Sequence, residues 1–284
     1  MKPGEAARIR SALAGVEGLD AERARLLVVA RRPGRLTVRA RDGESDLAVT
    51  LPRAGARGGP RAAEIARALE AAAGAGIAPR LRLLDRGSGI LVTDWAAGAA
   101  WNPEDLASGQ RLGCLAGLLR TLHGLAAGIP PFDVVGWSRH YRQSIARLGS
   151  PLDERESRAL DELRDLATEH HRTRSTATLG HNDVTAGNLI GFPQPLLIDW
   201  EYAGASDPAF DLATVIALHG LDDRAGSMLL DAYEAAGGTA VERGWLARTE
   251  RLVKLLAWAW AYAEALAHPG DPRATSWRQS TDPF

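Results

Sequence analysis

The chain has 284 residues, of which 45% are hydrophobic and 24% charged, and a formal net charge of −1. That is enough chain to bury a large core in two lobes, and the charge balance gives no bulk attraction to nucleic acid or to an anionic membrane surface. The single cysteine, Cys114, excludes an intrachain disulfide and a cysteine-based metal site; it lies in an apolar helical run and reads as a small core residue.

Residues 5–25, rich in Ala and Arg, predict a helix. The opening MKPGEAARIRSALAG lacks the apolar run of a secretion signal. Three apolar stretches follow, Leu26–Ala30, Leu36–Ala40 and Leu47–Leu51, separated by turn signals at Arg32-Pro33-Gly34 and Arg41-Asp42-Gly43. Short strands joined by tight turns are predicted. After the loop Gly55–Gly59, Pro60 opens a helix with Ile65, Leu69 and Ala72 on one face, ending at Gly74-Ala75-Gly76. Two more strands, Leu81–Asp85 and Ile90–Thr93, flank the turn at Arg86-Gly87. Five strands and one main helix predict a small antiparallel-sheet lobe over residues 1–95.

From Trp95 the pattern turns helical, which predicts a larger lobe over residues 96–284 and an α+β chain. Asn102-Pro103-Glu104-Asp105 is a helix start, with a capping Asn, then Pro, then acids that suit the helix dipole. Leu112, Leu115, Leu119, Leu122 and Leu125 form the stripe of that helix, and Ser150-Pro151 opens another that ends near His171. Residues 178–199 break the helical regime with two short apolar runs, Leu189–Ile190 and Leu196–Ile198, around a turn at Gly191–Gln194. Helix returns after Asp207 and continues to about His268. Its most apolar part, Leu252 to Ala267, includes Lys254 and Glu264 and is too short to span a bilayer. A cytoplasmic protein with no membrane or nucleic-acid partner is the expectation.

The chemistry-bearing segment is Leu179-Gly-His-Asn-Asp-Val-Thr-Ala-Gly-Asn-Leu-Ile, followed by Leu197-Ile-Asp-Trp-Glu-Tyr-Ala-Gly. Phosphoryl transfer from a nucleotide needs a carboxylate to orient the attacking hydroxyl, and Mg²⁺ held by a few oxygen ligands. Asp183 suits the first task, and Asn188 and Asp199 the second. A hairpin between the two apolar runs would return Asp199 close to Asn188.

His-x-Asp with Asn five residues after the Asp, then Ile-Asp-Trp-Glu, resembles the aminoglycoside phosphotransferase and choline kinase superfamily. The wording IDWEYAGASDPAFDLA is most similar to its bacterial choline, ethanolamine and thiamine kinase-like branch. The resemblance implies a bilobal protein-kinase-like fold and an ATP- and Mg²⁺-dependent kinase acting on a small-molecule hydroxyl. Aminoglycoside phosphorylation is the alternative acceptor chemistry. Carried onto this sequence, it implies Asp183 as catalytic base and Asn188 and Asp199 as metal ligands. It implies His181 and Asp211 as supports of the catalytic loop, and Thr93, Asp94 and Trp95 as a hinge that meets adenine. Glu64 becomes the helix glutamate that pairs with a phosphate-binding cation.

Two departures stand against that pattern. Thr50, in Leu47-Ala48-Val49-Thr50-Leu51-Pro52, occupies the place of the phosphate-binding Lys or Arg, and the glycine turn reads Arg31-Arg32-Pro33-Gly34-Arg35. Either a nearby arginine substitutes (Arg31, Arg32, Arg35 or Arg53), or nucleotide binding has weakened and the chain is a pseudokinase-like binding protein. Arg35 is retained as a nucleotide-site candidate. For the acceptor, Glu201, Tyr202, Trp258 and Tyr262 are candidate walls, because carboxylates and aromatic faces suit a cationic alcohol. The last helix is apolar nearly all round, so its aromatic residues also fit a buried core.

Overall fold

The computed structural model describes residues 1–284 except 33–34, 44, 53–59, 127, 150, 174–177, 273, 275, 277, 279–280 and 284, and describes only the backbone of residues 3, 32 and 60. The predicted turn at Pro33-Gly34, the loop Gly55–Gly59, Arg53 and Ser150 therefore lie outside the described residues.

Helix α1 (Pro3–Leu13) is shorter than the predicted 5–25. Ala14 caps it, Gly15 follows, and Gly18 has a left-handed φ of +76°, so the chain turns instead of continuing as helix. Strands β1 (Arg25–Arg32), β2 (Arg35–Asp42) and β3 (Ser45–Pro52) come next, then α2 (Pro60–Gly74), β4 (Leu81–Asp85) and β5 (Ile90–Asp94). The strands form one antiparallel five-stranded sheet in the order β1-β2-β3-β5-β4. Period-two alternation fixes its faces. Leu36, Val38, Ala40, Leu47, Val49, Leu51, Ile90 and Val92 are buried on one face with Ile9 and Leu13 of α1. Arg35, Thr37, Arg39, Ala48 and Thr50 alternate with them and are half-buried on the other face.

Asn102 does cap a helix, accepting the Asp105 N–H at 3.0 Å, but that helix is a single 3₁₀ turn over Pro103–Ala107. The leucine stripe belongs to a separate helix, α3 (Gly109–His123), and Cys114 packs half-buried at its side. Helices α4 (Val134–Arg147) and α5 (Glu154–Thr173) follow. Strand β6 (Thr178–Gly180) pairs with β9 (Gly204–Ser206), and between them β7 (Leu189–Ile190) and β8 (Leu196–Leu197) make the expected small hairpin. The remaining helices are α6 (Pro208–Leu218), α7 (Asp223–Ala235) and α8 (Arg243–Ala267).

Two clusters of buried apolar side chains hold the molecule. The smaller lies under the sheet; the larger gathers the helices that follow it. The buried face of α2 (Ala68, Leu69 and Ala72) joins the larger cluster, so this helix connects the sheet-bearing part to the helical part. Among the described residues, no helix is long and apolar enough to cross a membrane.

Candidate active site

The loop between β6 and β7 is held from below by one buried carboxylate. Asp211, on the first turn of α6, is fully buried. Its Oδ2 accepts the His181 N–H at 3.0 Å and its Oδ1 accepts the Asn182 N–H at 2.6 Å. His123, at the end of α3, meets Asp211 Oδ2 through Nε2 at 3.1 Å and Tyr233 Oη through Nδ1 at 2.8 Å. Burial alone would push the Asp211 carboxyl up, but the hydrogen bond from His123, the imidazoles of His123 and His181, and the His181 amide hold it below the usual carboxylate range. Burial pushes the Tyr233 hydroxyl up to about 12, so it stays protonated beside His123.

Asn182 adopts a left-handed conformation with φ +63°, and its Nδ2 donates to Tyr202 O at 3.0 Å. His181 is fully buried, with its ring edge-on to Trp200 and Nε2 on Ile198 O at 2.9 Å. Burial pushes its imidazole below 6.5, although Asp211 and Asp199 partly oppose the shift. His219, just beyond α6, accepts the Ala186 N–H at 2.9 Å through Nε2 while Nδ1 faces Val215 O at 2.9 Å. Its imidazole is likewise lowered by burial, which keeps the accepting nitrogen unprotonated. The expected supports, His181 and Asp211, thus lie beneath the loop. His123, Tyr233 and His219 are further supports that the sequence reading missed; the one signal was a lone histidine closing each of two apolar helices.

Above this support two of the three oxygen-bearing side chains meet directly, and the hairpin brings the chain back beside them. Asn188 donates through Nδ2 to Asp183 Oδ2 at 2.8 Å and to Asp183 O at 2.9 Å. The β7–β8 hairpin returns the chain so that Ile198 N–H reaches Asn188 O at 2.9 Å, one residue before Asp199. Asp199 itself is left-handed, φ +71°. Both Asn188 amide hydrogens are directed to Asp183, so Oδ1 is the Asn188 atom left to face a cation. Among the described residues no three His, Cys, Asp or Glu side chains cluster as a metal site. A divalent ion here would rest on an amide oxygen and one or two carboxylates, a set that fits a hard cation completing its shell with phosphate and water.

A cation already meets Asp199. Arg35, at the start of β2, makes a fork-to-fork pair with both Asp199 carboxylate oxygens, and its Nη1 lies 3.2 Å from Glu201 Oε2. The Arg35 and Asp199 side chains are 15% and 8% exposed, so solvent screens the pair weakly. Burial opposes the guanidinium charge, but Asp199 and Glu201 outweigh it and hold the group protonated. Of the other arginines weighed from sequence, Arg31 forks onto Glu5 at 2.9 Å, and the Arg32 and Arg53 side chains lie outside the described residues. Glu64 pairs with Arg61 on its own helix at 3.6 Å, and Arg61 donates to Glu201 O at 2.9 Å. The sheet face and α2 are therefore each tied by an arginine to the 199–201 segment.

The hinge candidates differ in what they leave available. Asp94 N–H donates to Arg80 O and Trp95 N–H to Asp46 O, both at 2.9 Å. Arg39 stacks over the Trp95 ring at 4.4 Å while pairing with Asp46. On the acceptor side, Tyr202 packs against Trp137 with ring centroids 5.0 Å apart and meets Tyr141 Oη at 3.5 Å. Burial first, and then the charges of Glu201, Asp183 and Glu264, push the Tyr141 hydroxyl up. A cavity of about 240 Å³ lies between α4 and α8, lined in part by Tyr141, His140 and Glu264. Trp258 and Tyr262, the other candidate walls, are 3% and 1% exposed and belong to the large core cluster. The Tyr262 hydroxyl donates to Glu156 at 3.3 Å and its face is covered by Arg278 at 4.0 Å. Trp137 and Tyr141 were missed although their four-residue spacing sets both rings on one face of α4, a signal that was legible in the sequence.

The chain matches the phosphotransferase enzyme family (APH) over residues 33–274 and belongs to it. Protein LicA of Haemophilus influenzae is 43% identical over 54 residues, which is 19% of this chain and 20% of that protein, so the match spans about a fifth of the relative's length. A choline/ethanolamine kinase family protein from Mesorhizobium loti has a similar structure, with TM-score 0.75 and 23% identity over 97% of this chain and 91% of that one. Choline kinase LicA from Streptococcus pneumoniae is similar too, with TM-score 0.75 and 18% identity over 99% of this chain and 98% of that one. The bilobal kinase-like fold expected from the sequence is the fold these structures share.

Proposed function

We propose that the chain transfers a phosphoryl group from ATP to the hydroxyl of a small cationic metabolite of the choline, ethanolamine or thiamine kind, with Mg²⁺ as its metal. The observation that carries this reading is the 2.8 Å contact between Asn188 Nδ2 and Asp183 Oδ2 beside a hairpin that returns Asp199. It leaves one carboxylate to receive a hydroxyl proton and an amide oxygen with a second carboxylate to hold a divalent ion.

Asp183 orients the acceptor hydroxyl and takes its proton as the new phosphate ester forms. Asn188 and Asp199 would hold Mg²⁺, which when bound would offset the charge of the nucleotide phosphates. His181 and Asp211 fix the backbone that carries Asp183. Residues 1–95 form the nucleotide side, with Thr93, Asp94 and Trp95 bordering the adenine. Because the amides of Asp94 and Trp95 are already engaged, adenine contacts there fall to carbonyl groups and to residues after Trp95.

Arg35 supplies the cation that Thr50 lacks. Thr50 lies opposite Thr37 on β2, and Arg35 is two residues from Thr37 on the same sheet face. The charge is thereby moved one strand across and two residues along. Residues 96–284 form the acceptor side, where Tyr202, Trp137 and Tyr141 with Glu201 and Asp183 combine aromatic faces with negative charge. That combination recognises a quaternary or primary ammonium through charge attraction and cation–π contact. The similarity to a choline/ethanolamine kinase family protein and to a choline kinase supports the same acceptor class.

Incubation with ATP, Mg²⁺ and a panel of choline, ethanolamine, thiamine and an aminoglycoside tests the reading by mass spectrometry of products. A phosphorylated choline-like acceptor is expected from the wild type, with Asp183→Asn slower by roughly 10²–10⁴-fold. Nucleotide binding with no phosphorylated acceptor would instead favour a binding protein.

A further inference from the structure

We infer that Arg35 is an exchangeable counter-ion: without nucleotide it occupies the carboxylate of Asp199, and an arriving phosphate chain draws it away and opens that carboxylate to a divalent ion. This rests on the proposed kinase reading and adds an order of events to it.

Arg35 forks onto both Asp199 oxygens, so neither keeps the approach it would offer a metal. The pair is mostly buried, and a guanidinium and a divalent ion placed on one carboxylate would repel strongly where water screens little. Arg35 cannot leave by losing its proton, because guanidinium stays charged at any ordinary pH. It leaves only for another anion.

Asp199 is the fixed partner. Its left-handed backbone follows a hairpin pinned through Ile198 N–H to Asn188 O. Arg35 has the long, rotatable side chain, and it stands on the sheet face where position 50 offers no competing cation. Arg39, further along that face, is committed to Asp46 and Trp95. A phosphate chain entering beside this face therefore meets Arg35 as its nearest cation among the described side chains of β2 and β3. Once Arg35 turns to phosphate, its place on the Asp199 carboxylate is open to the divalent ion that accompanies the nucleotide. Metal and nucleotide then bind with positive coupling, each raising the affinity for the other.

Mn²⁺, counted by electron paramagnetic resonance of the unbound ion, is the probe. The wild type is expected to bind Mn²⁺ weakly alone and at least about tenfold more tightly with ADP present. Arg35→Gln is expected to bind Mn²⁺ alone at least about tenfold more tightly than the wild type and to lose most of the ADP effect. Arg35→Lys, which keeps charge without the fork, is expected to fall between them and carries the test should the Gln variant not fold by circular dichroism. Equal Mn²⁺ affinity in the wild type and both variants without nucleotide would overturn the exchange while leaving the kinase reading intact, provided ADP still recruits Mn²⁺ to the wild type. A wild type that binds no Mn²⁺ even with ADP would overturn both.

Discussion

The catalytic loop and the sheet face above it are built on opposite plans. The loop is fixed many times over. Asp211 takes the amides of His181 and Asn182, His219 takes the amide of Ala186, His181 meets Ile198 O, and Asn188 donates twice to Asp183. The sheet face contributes one described cation to the site, Arg35, held by a single pair with Asp199 and a longer contact to Glu201. The proposed proton acceptor is locked in place by the backbone around it. The proposed phosphate-binding cation stands on a long side chain paired to a carboxylate.

Asp211 offers the severest way to break that contrast. Asp211→Ala leaves two buried amides and His123 without their acceptor, and should destabilise the protein by about 3–5 kcal/mol, since removing one partner of a buried charged network strands the rest. Thermal and denaturant melts read it. A loss under about 1 kcal/mol would mean the loop does not depend on this anchor.

The sheet face should answer differently. Arg35→Gln removes one partner of a mostly buried pair and should lower the melting temperature, though less than Asp211→Ala, and raise the KM for ATP by roughly ten- to a hundredfold, the worth of a hydrogen bond to a charged group. Adding Thr50→Lys to that variant should recover part of the loss, because it returns a cation to the neighbouring strand on the same face. No recovery would place the phosphate-binding charge elsewhere.

The mildest effect concerns pH. His181 and His219 have imidazoles lowered by burial from the ordinary 6.5. The unfolded chain therefore binds more protons than the folded one as pH falls below 6.5, and stability declines in that direction. Above 6.5 both states are neutral at these positions and the full contribution is present. Unfolding free energy should drop from pH 7 to pH 5, and His219→Gln, whose side-chain oxygen can accept the Ala186 amide without titrating, should flatten the decline. An identical slope in the variant would remove His219 from the account.

What the sequence disclosed follows the same division. Asp183, Asn188 and Asp199 fall within 17 positions of one another, and the hairpin joining them reads directly from two short apolar runs around a turn. Apolar stretches between turn signals likewise exposed the strands. Contacts between distant parts of the chain left no local trace: Arg35 and Asp199 are 164 residues apart, and His123 and Asp211 are 88 apart. Composition alone could not separate Arg35 from the other arginines near it. Glu64 was expected to seek a cation on a strand, yet its partner is Arg61, one helical turn away. Trp258 and Tyr262 were weighed as an acceptor wall because of their type, while an apolar helix packed on all sides buries such rings in the core.

The most direct test is a crystal structure of the wild type with Mg²⁺ and a non-hydrolysable ATP analogue. The account predicts the metal on Asn188 Oδ1 and the Asp199 carboxylate, with the Arg35 guanidinium moved onto phosphate. Nucleotide bound with Arg35 still forked on Asp199, and no metal at Asn188, would contradict it.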